Sequence, residues 1–315
     1  QSKRTPLSLA LLSFVGLWLW LSAPSATTQI QTTTDTDIFA LPSFTLAAGF
    51  ITGIAYGVML LATGVSVWFV FKLNKKVPRW AVLAFGLALV LTILVVLFAG
   101  KTMPITALLQ GSLALAVPLI FGSLAGVLSE RVGIVNIAID SQLLTGAFVS
   151  ALVASVSDNL YAGLLGAMIA GALVSWVLAV FSIRYVVDQI IVGVVLNVLI
   201  VGLTNFLFST VLTSNIAVFN QPPRFDKILI PVIGQIPVLG PVLFNQTLIV
   251  YLMYLAVAGV FIALFKTRWG LRVRAVGEYP KAADTVGIKV YRTRYISVMI
   301  GGALAGLGGA FFTLG

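Results

Sequence analysis

The sequence predicts an all-α, polytopic transmembrane helical bundle, and three observations carry that prediction. Hydrophobic residues make up 60% of the 315-residue chain and charged residues only 9%, where a water-soluble domain carries about 25% charged residues. Mean hydropathy is +1.10. The apolar residues fall in continuous runs of about 20, the length of a membrane-crossing helix, and not in the alternation of a closed β-barrel. In lipid only those two architectures satisfy the backbone polar groups. The chain has no Cys and no His. That excludes disulfides, thiolate or imidazole metal sites, and nucleophilic or acid–base chemistry through either residue.

Nine hydrophobic segments lie near 7–23, 46–71, 80–100, 107–128, 143–157, 161–182, 188–212, 246–265 and 295–315. The fifth is short for a span and is expected to borrow residues from the stretch before it. Basic residues are distributed unequally between the connections. Lys3, Arg4, Lys72, Lys75, Lys76, Arg79, Arg131, Arg184, Lys266, Arg268, Arg272, Arg274, Lys281, Lys289, Arg292 and Arg294 fall on one side, which is 16 of the 19. Only Lys101, Arg224 and Lys227 fall on the other. The positive-inside rule makes the first side, with the N-terminus, cytoplasmic. The net charge of +10 is thus topology and no sign of a nucleic-acid partner. Lys3-Arg4, the first apolar run and Ser22-Ala23-Pro24-Ser25-Ala26 also fit a cleaved signal peptide, but the run is long for one and reads better as an uncleaved span.

Segments 1–79 read as an N-terminal hairpin of two spans joined by an external loop, 24–43, and 80–315 as the transport core. The 24–43 loop is rich in Thr and Ser, carries Asp35 and Asp37 without a basic residue, and is expected to be a flexible, solvated linker. The external 213–245 loop holds Pro222, Pro223, Pro231, Pro237 and Pro241 between apolar pieces. It is too apolar for disorder and is expected to pack over the outer mouth. The run from Gly301 to Gly315 is apolar with no basic stop after it, which predicts a fold continuing past residue 315.

Two stretches interrupt the apolar pattern with chemistry. The connection 266–294 reads KTRWGLRVRAVGEYPKAADTVGIKVYRTR, with eight basic and two acidic residues. Its interior, 279–286, is expected to form a short helix, with Pro280 in the first turn and Gly287 as the C-terminal cap. Such a cluster is either an anchor on anionic lipid or a peg for a cytoplasmic protein, and the small residues Gly277, Ala282, Ala283 and Gly287 favour the peg. The stretch 129–147, SERVGIVNIAIDSQLLTGA, places Glu130, Arg131, Asn136, Asp140 and Gln142 between two spans. It reads equally as an ordinary cytoplasmic loop or as a broken element whose polar groups line a substrate path. In the seventh segment Asp188 is spaced to pair with Arg184, while Asn197 lies deeper as interhelical glue or a substrate contact. Gly49/Gly53/Gly57, Gly122/Gly126 and Gly302/Gly306 repeat the spacing that lets helices approach closely. No GxxxxGK[ST] loop occurs, so no ATP chemistry by that route is expected of the chain.

SERVGIVNIAIDSQLLTGAF resembles the signature segment of the ribose- and nucleoside-type permeases of bacterial ABC importers. AVGEYPKAADTVGIKVYRTRYISVMIGGALAGLGGAFF resembles their cytoplasmic coupling segment and following span. The resemblance covers roughly 105–315 and is nearest to the nucleoside permeases. One departure is Ser141, where the family usually has Gly between an acidic residue and Gln. The resemblance implies the all-helical ABC importer permease fold in a bacterial cytoplasmic membrane. It implies a second permease subunit that is often a different chain, a cytoplasmic ATPase that binds ATP and Mg, and an external substrate-binding lipoprotein. No cofactor is expected in this chain. The implied coupling segment is Gly277–Gly287, with Glu278 and Asp284 facing the ATPase and Ala282 and Ala283 at closest approach. The implied pathway residues are Asn136, Asp140 and Gln142, joined by Asn197 from its depth. Nucleosides are the expected cargo, with a pentose or hexose as the alternative. A secondary transporter using Asp140 or Asp188 is a rival of another class, but it leaves the basic connection without a task.

Overall fold

The computed structural model describes residues 4–33, 37–39, 41–213 and 215–315. Lys3 and Asp35, both used above, lie outside the described residues. Among those residues nine helices are long and apolar enough to cross a membrane. They match the nine hydrophobic segments in order, and the fifth does borrow from the stretch before it, starting at Ile139.

By contacts the chain divides into two units, one of residues 1–109 with 232–242 and one of 110–231 with 243–315. The first unit contains α1 (Arg4–Leu21), α2 (Ala48–Val67) and α3 (Arg79–Leu97), so the third span groups with the first two rather than ending the unit at residue 79. Leu9, Ala55, Met59, Ala62, Phe85 and Ala88 form its buried core. Gly16 on α1 admits the Met59 side chain, whose terminal methyl carbon lies 2.9 Å from where a Cβ would sit. Trp20 stacks on Tyr56 with ring centroids 5.6 Å apart.

The 24–43 loop is not wholly a linker. Its residues Thr27–Gln31 form β1, flanked by β2 (Phe44–Ala47) antiparallel and β3 (Thr102–Pro104) parallel. The expectation of a solvated linker rested on polarity, but three of the five residues, Thr27, Thr28 and Ile30, are β-branched and suited to a strand. In the same unit, the Ile38 amide donates to Gln235 O at 3.0 Å.

The second unit holds the end of α4 (Ile105–Glu130), then α5 (Ile139–Ser157), α6 (Leu160–Ala179), α7 (Gln189–Leu207), α8 (Ile216–Phe219), α9 (Leu248–Lys266), α10 (Arg268–Glu278), α11 (Pro280–Thr285) and α12 (Val290–Leu314). Single π-helical turns prolong α6 and α7 to Arg184 and Leu212. Its centre is a seam of α5, α6 and α12 built on glycine. A Cβ at Gly302 would strike Gly171 O, one at Gly306 would strike Ala167 O, one at Gly146 would strike Gly306 O, and one at Gly309 would strike Leu143 O. Lipid offers helices no hydrophobic drive to associate, so close van der Waals contact must hold them, and small residues permit it. Around the seam lie Val117, Phe121, Leu164, Ile249, Met253 and Leu314, all buried. The 213–245 loop is ordered where it joins this unit. Strand β4 (Ile228–Leu229) pairs antiparallel with β5 (Asn245–Gln246). The Phe225 amide donates to Leu314 O at 2.8 Å, and the Phe225 ring meets Tyr161 edge-on at 5.9 Å.

Candidate transport and coupling site

Helix α4 ends at Glu130, and the chain does not turn directly into α5. It makes a tight turn through Gly133, whose φ of +78° only glycine adopts freely, and then continues without regular structure to the turn at Ala138. Burial alternates along this run. Val132, Ile134, Asn136 and Ala138 are buried, while Gly133, Val135 and Ile137 are exposed. The stretch is therefore a break between two spans, pinned to the protein along one edge, and not a solvated loop.

Helix α7 does much of the pinning through residues spaced four apart. Gln189 Oε1 accepts from the Val135 amide at 2.6 Å. Gly193 leaves no room for a side chain against Ile137, whose Cβ lies 2.8 Å from where a Cβ would stand. Asn197 bridges two backbone groups. Its Oδ1 accepts from Ser141 N at 3.1 Å, and its Nδ2 donates to Ile137 O at 3.0 Å. The Ser141 amide is one of the orphan donors in the first turn of α5, so α7 caps α5 from outside. Asp188 also serves as a cap. It accepts from Ile190 N at 2.8 Å, a role that replaces the pairing with Arg184 suggested by spacing.

Within the break, Asn136 and Gln142 exchange two amide hydrogen bonds, both 3.2 Å, and Asn136 Oδ1 also accepts from Ala138 N at 3.1 Å. Asn136 is 7% exposed and Gln142 0%. These two amides and that of Asn197 are thus committed to holding the wall. Asp140 differs. It is exposed and lines a groove of about 540 Å³ with Gly122, Ser123, Gly126 and Glu130 of α4, a groove that Asn136 also borders while it keeps its bonds to Gln142. Replacing Asn136 or Gln142 alone with Leu should lower stability by about 1–3 kcal/mol, because the partner amide is left buried without its bonds. The double replacement should cost less than the sum. Thermal unfolding of the purified variants reads this directly, and strictly additive losses would show that the reciprocal bond is not formed.

The connection 266–294 contains more structure than the single short helix expected. α11 begins with Pro280 at its first turn. Gly287 follows with φ +83°, the Gly287 and Ile288 amides donating back to Asp284 O and Ala283 O, so the expected caps are both present. Before it stands α10, which polarity alone had hidden. Its Val273 and Val276 face inward, and Gly270 lets its first turn press on the Ala263 and Leu264 carbonyls at the end of α9. Thr267 caps α10, its Oγ1 accepting from Gly270 N at 3.1 Å. Of the two small residues placed at closest approach to a partner, Ala282 is exposed, but Ala283 is only 4% exposed and belongs to the chain's own packing. Glu278 and Asp284 are exposed.

The two stretches touch. A Cβ at Gly277, the penultimate residue of α10, would collide with Arg131 O. Arg294 Nε donates to Val132 O at 3.1 Å. The Arg131 and Arg274 guanidinium groups lie 5.9 and 5.5 Å from the Phe265 ring centroid, within cation–π range. The end of α10 and the start of α12 thus both hold the turn that leads into the Asn136–Gln142 break.

Residues 108–315, which contain both stretches, match the family described as branched-chain amino acid transport system / permease component. The chain belongs to this permease family. Three relatives are permease proteins by name. The guanosine ABC transporter permease protein NupQ of Bacillus subtilis is 41% identical over 66% of this chain and 67% of its own length. The nucleoside ABC transporter permease protein NupC of Lactococcus lactis is 38% identical over 62% and 63%. The putative glucose ABC transporter permease protein TsgC13 of Haloferax volcanii is 34% identical over 66% and 62%. The chain thus spans about two thirds of the length of these relatives. No solved structure matches the permease. It is a multi-pass membrane protein, and the family match begins where the second contact unit begins, within two residues.

Proposed function

We propose that the permease is the membrane subunit of an ATP-driven importer of nucleosides in a bacterial cytoplasmic membrane. It would work with a cytoplasmic ATPase that binds ATP and Mg, a second and different permease chain, and an external substrate-binding lipoprotein. The observation that carries this reading is the direct contact of Gly277 and Arg294 with the 131–132 turn. A push on α10 from the cytoplasm would reach the turn before the break through direct packing of Gly277 on Arg131. Ala282, Glu278, Asp284 and the Gly287 cap offer the ATPase a small, exposed, mixed-charge contact. Asp140 and Glu130 place carboxylate acceptors in the open groove, suited to a solute rich in hydroxyl and amide donors. Asn136, Gln142 and Asn197 keep that wall in shape.

The guanosine and nucleoside relatives support the nucleoside over the hexose, and the glucose relative keeps the hexose as the second reading. Proteoliposomes containing the permease with its ATPase, second permease and binding protein should take up labelled guanosine only with ATP. Excess unlabelled nucleoside should compete and excess glucose should not. Competition by glucose alone would move the assignment to sugars, and uptake driven by an ion gradient without ATP would end the importer reading. Orientation is tested separately. With 16 of 19 basic residues on one set of connections, a Cys placed at exposed Lys281 should react with an impermeant thiol reagent only from inside and one at exposed Asp226 only from outside. The reverse pattern would invert the topology.

A further inference from the structure

We propose that the cytoplasmic end of the permease carries a built site for the phosphate headgroup of an anionic phospholipid, in the cavity between α10 and the start of α12. This site is separate from the groove at Asp140 and does not depend on which solute is carried.

The cavity encloses about 920 Å³. Four cations line it, Arg268 and Arg272 from α10 and Lys289 and Arg292 at the start of α12, and among the described residues no acidic one does. All four are exposed. Among the described residues none of the four has a carboxylate partner within ion-pairing distance. Four like charges around one space repel one another, and a bound anion relieves that repulsion. The neighbouring Arg274 is used differently, against Phe265 and with its Nε donating to Gly270 O at 3.4 Å, so the cavity selects a subset of the basic cluster.

The wall of the cavity identifies the class of anion. Leu271 is 61% exposed, Val286 75% and Ile296 37%, and each lines the same space as the cations. A soluble phosphate uses the cations alone and leaves this apolar surface wet. A phospholipid uses both, with its phosphate on the cations and its glycerol and first acyl carbons on the apolar wall. The position fits as well. The only charged residues of α12 are Arg292 and Arg294, both near its start, and an apolar run follows them. Basic residues that flank an apolar span sit at the level of the headgroups, which places Lys289 and Arg292 there. α10 is held at the same level because Gly270 packs it onto the end of the α9 span.

The test uses the full-length protein, delipidated and titrated in detergent with phosphatidylglycerol, phosphatidylcholine or inorganic phosphate, and read by native mass spectrometry. Phosphatidylglycerol should bind saturably and at least about tenfold more tightly than phosphatidylcholine. R272Q/K289Q should weaken phosphatidylglycerol about 25-fold, two juxtamembrane cations at roughly fivefold each. R184Q, at an exposed basic residue outside the cavity, should change it less than twofold. Equal binding of the two lipids, or an unchanged R272Q/K289Q, would overturn the proposal. Displacement of the lipid by millimolar inorganic phosphate would assign the site to a soluble anion instead. Displacement by the ATPase, with loss of ATPase capture in R272Q/K289Q, would make it part of the ATPase interface.

Discussion

Gly277→Val is expected to reduce ATP-driven uptake to background while leaving a protein that inserts and can be purified. At this position a side chain has no free direction, because a Cβ already collides with the carbonyl oxygen of Arg131. A backbone atom cannot move aside as a flexible side chain does, so α10 must lift away from the 131–133 turn. Overpacking of this kind costs about 1–3 kcal/mol, which a unit with a tight three-helix core can absorb. What it removes is the contact through which a displacement of α10 would reach the Asn136–Gln142 break. Arg294→Gln tests the second link. It deletes the bond to Val132 O without adding bulk and should lower uptake partially. The decisive comparison is uptake against ATPase activity and ATPase capture in the reconstituted complex. Retained ATP hydrolysis with lost uptake marks broken transmission. Normal uptake by Gly277→Val would mean that the contact is packing alone and that coupling runs elsewhere.

The spans were legible because hydropathy over 20 residues is a one-dimensional signal that lipid imposes directly. The caps at Pro280 and Gly287 were legible because a fixed φ or a positive φ singles out one residue type. The internal bonds of the break were not legible. Asn136, Gln142 and Asn197 stand out as polar groups among apolar ones, but sequence cannot say whether an amide faces a solute or another amide. The structure shows each of the three bonded within the protein. A clue to the α7 face was present in the spacing of Gln189, Gly193 and Asn197, four residues apart and so on one side of a helix. Helix α10 was missed because its charge dominated its composition; the inward residues Gly270, Val273 and Val276, three apart, were the signal. Contacts such as Gly277 on Arg131 join distant parts of one chain and leave no local trace.

Gly306→Val is expected to be the most damaging single substitution in the second unit, and Gly57→Val to be nearly silent, although both glycines belong to the same spacing pattern. In sequence the motifs at 49/53/57, 122/126 and 302/306 are equivalent. In the structure they are not. At Gly306 an added Cβ meets Ala167 O, and Gly146 and Gly171 press back on the Gly306 backbone from α5 and α6. Three helices would have to separate at once, and each would lose its van der Waals contact along the whole seam, the main attraction left to helices in lipid. The cost should exceed about 3 kcal/mol, the upper end of ordinary overpacking, and the variant should give no monodisperse species in mild detergent. At Gly57 no described residue lies within 4 Å of the added Cβ, so its effect should stay within about 0.5 kcal/mol, as for a substitution away from packing. Size-exclusion profiles and unfolding temperatures of the two variants decide the matter. A monodisperse Gly306→Val with the parental unfolding temperature would show that the seam is looser than its backbone contacts imply. A Gly57→Val that aggregates would show that the free face of α2 is covered by another chain.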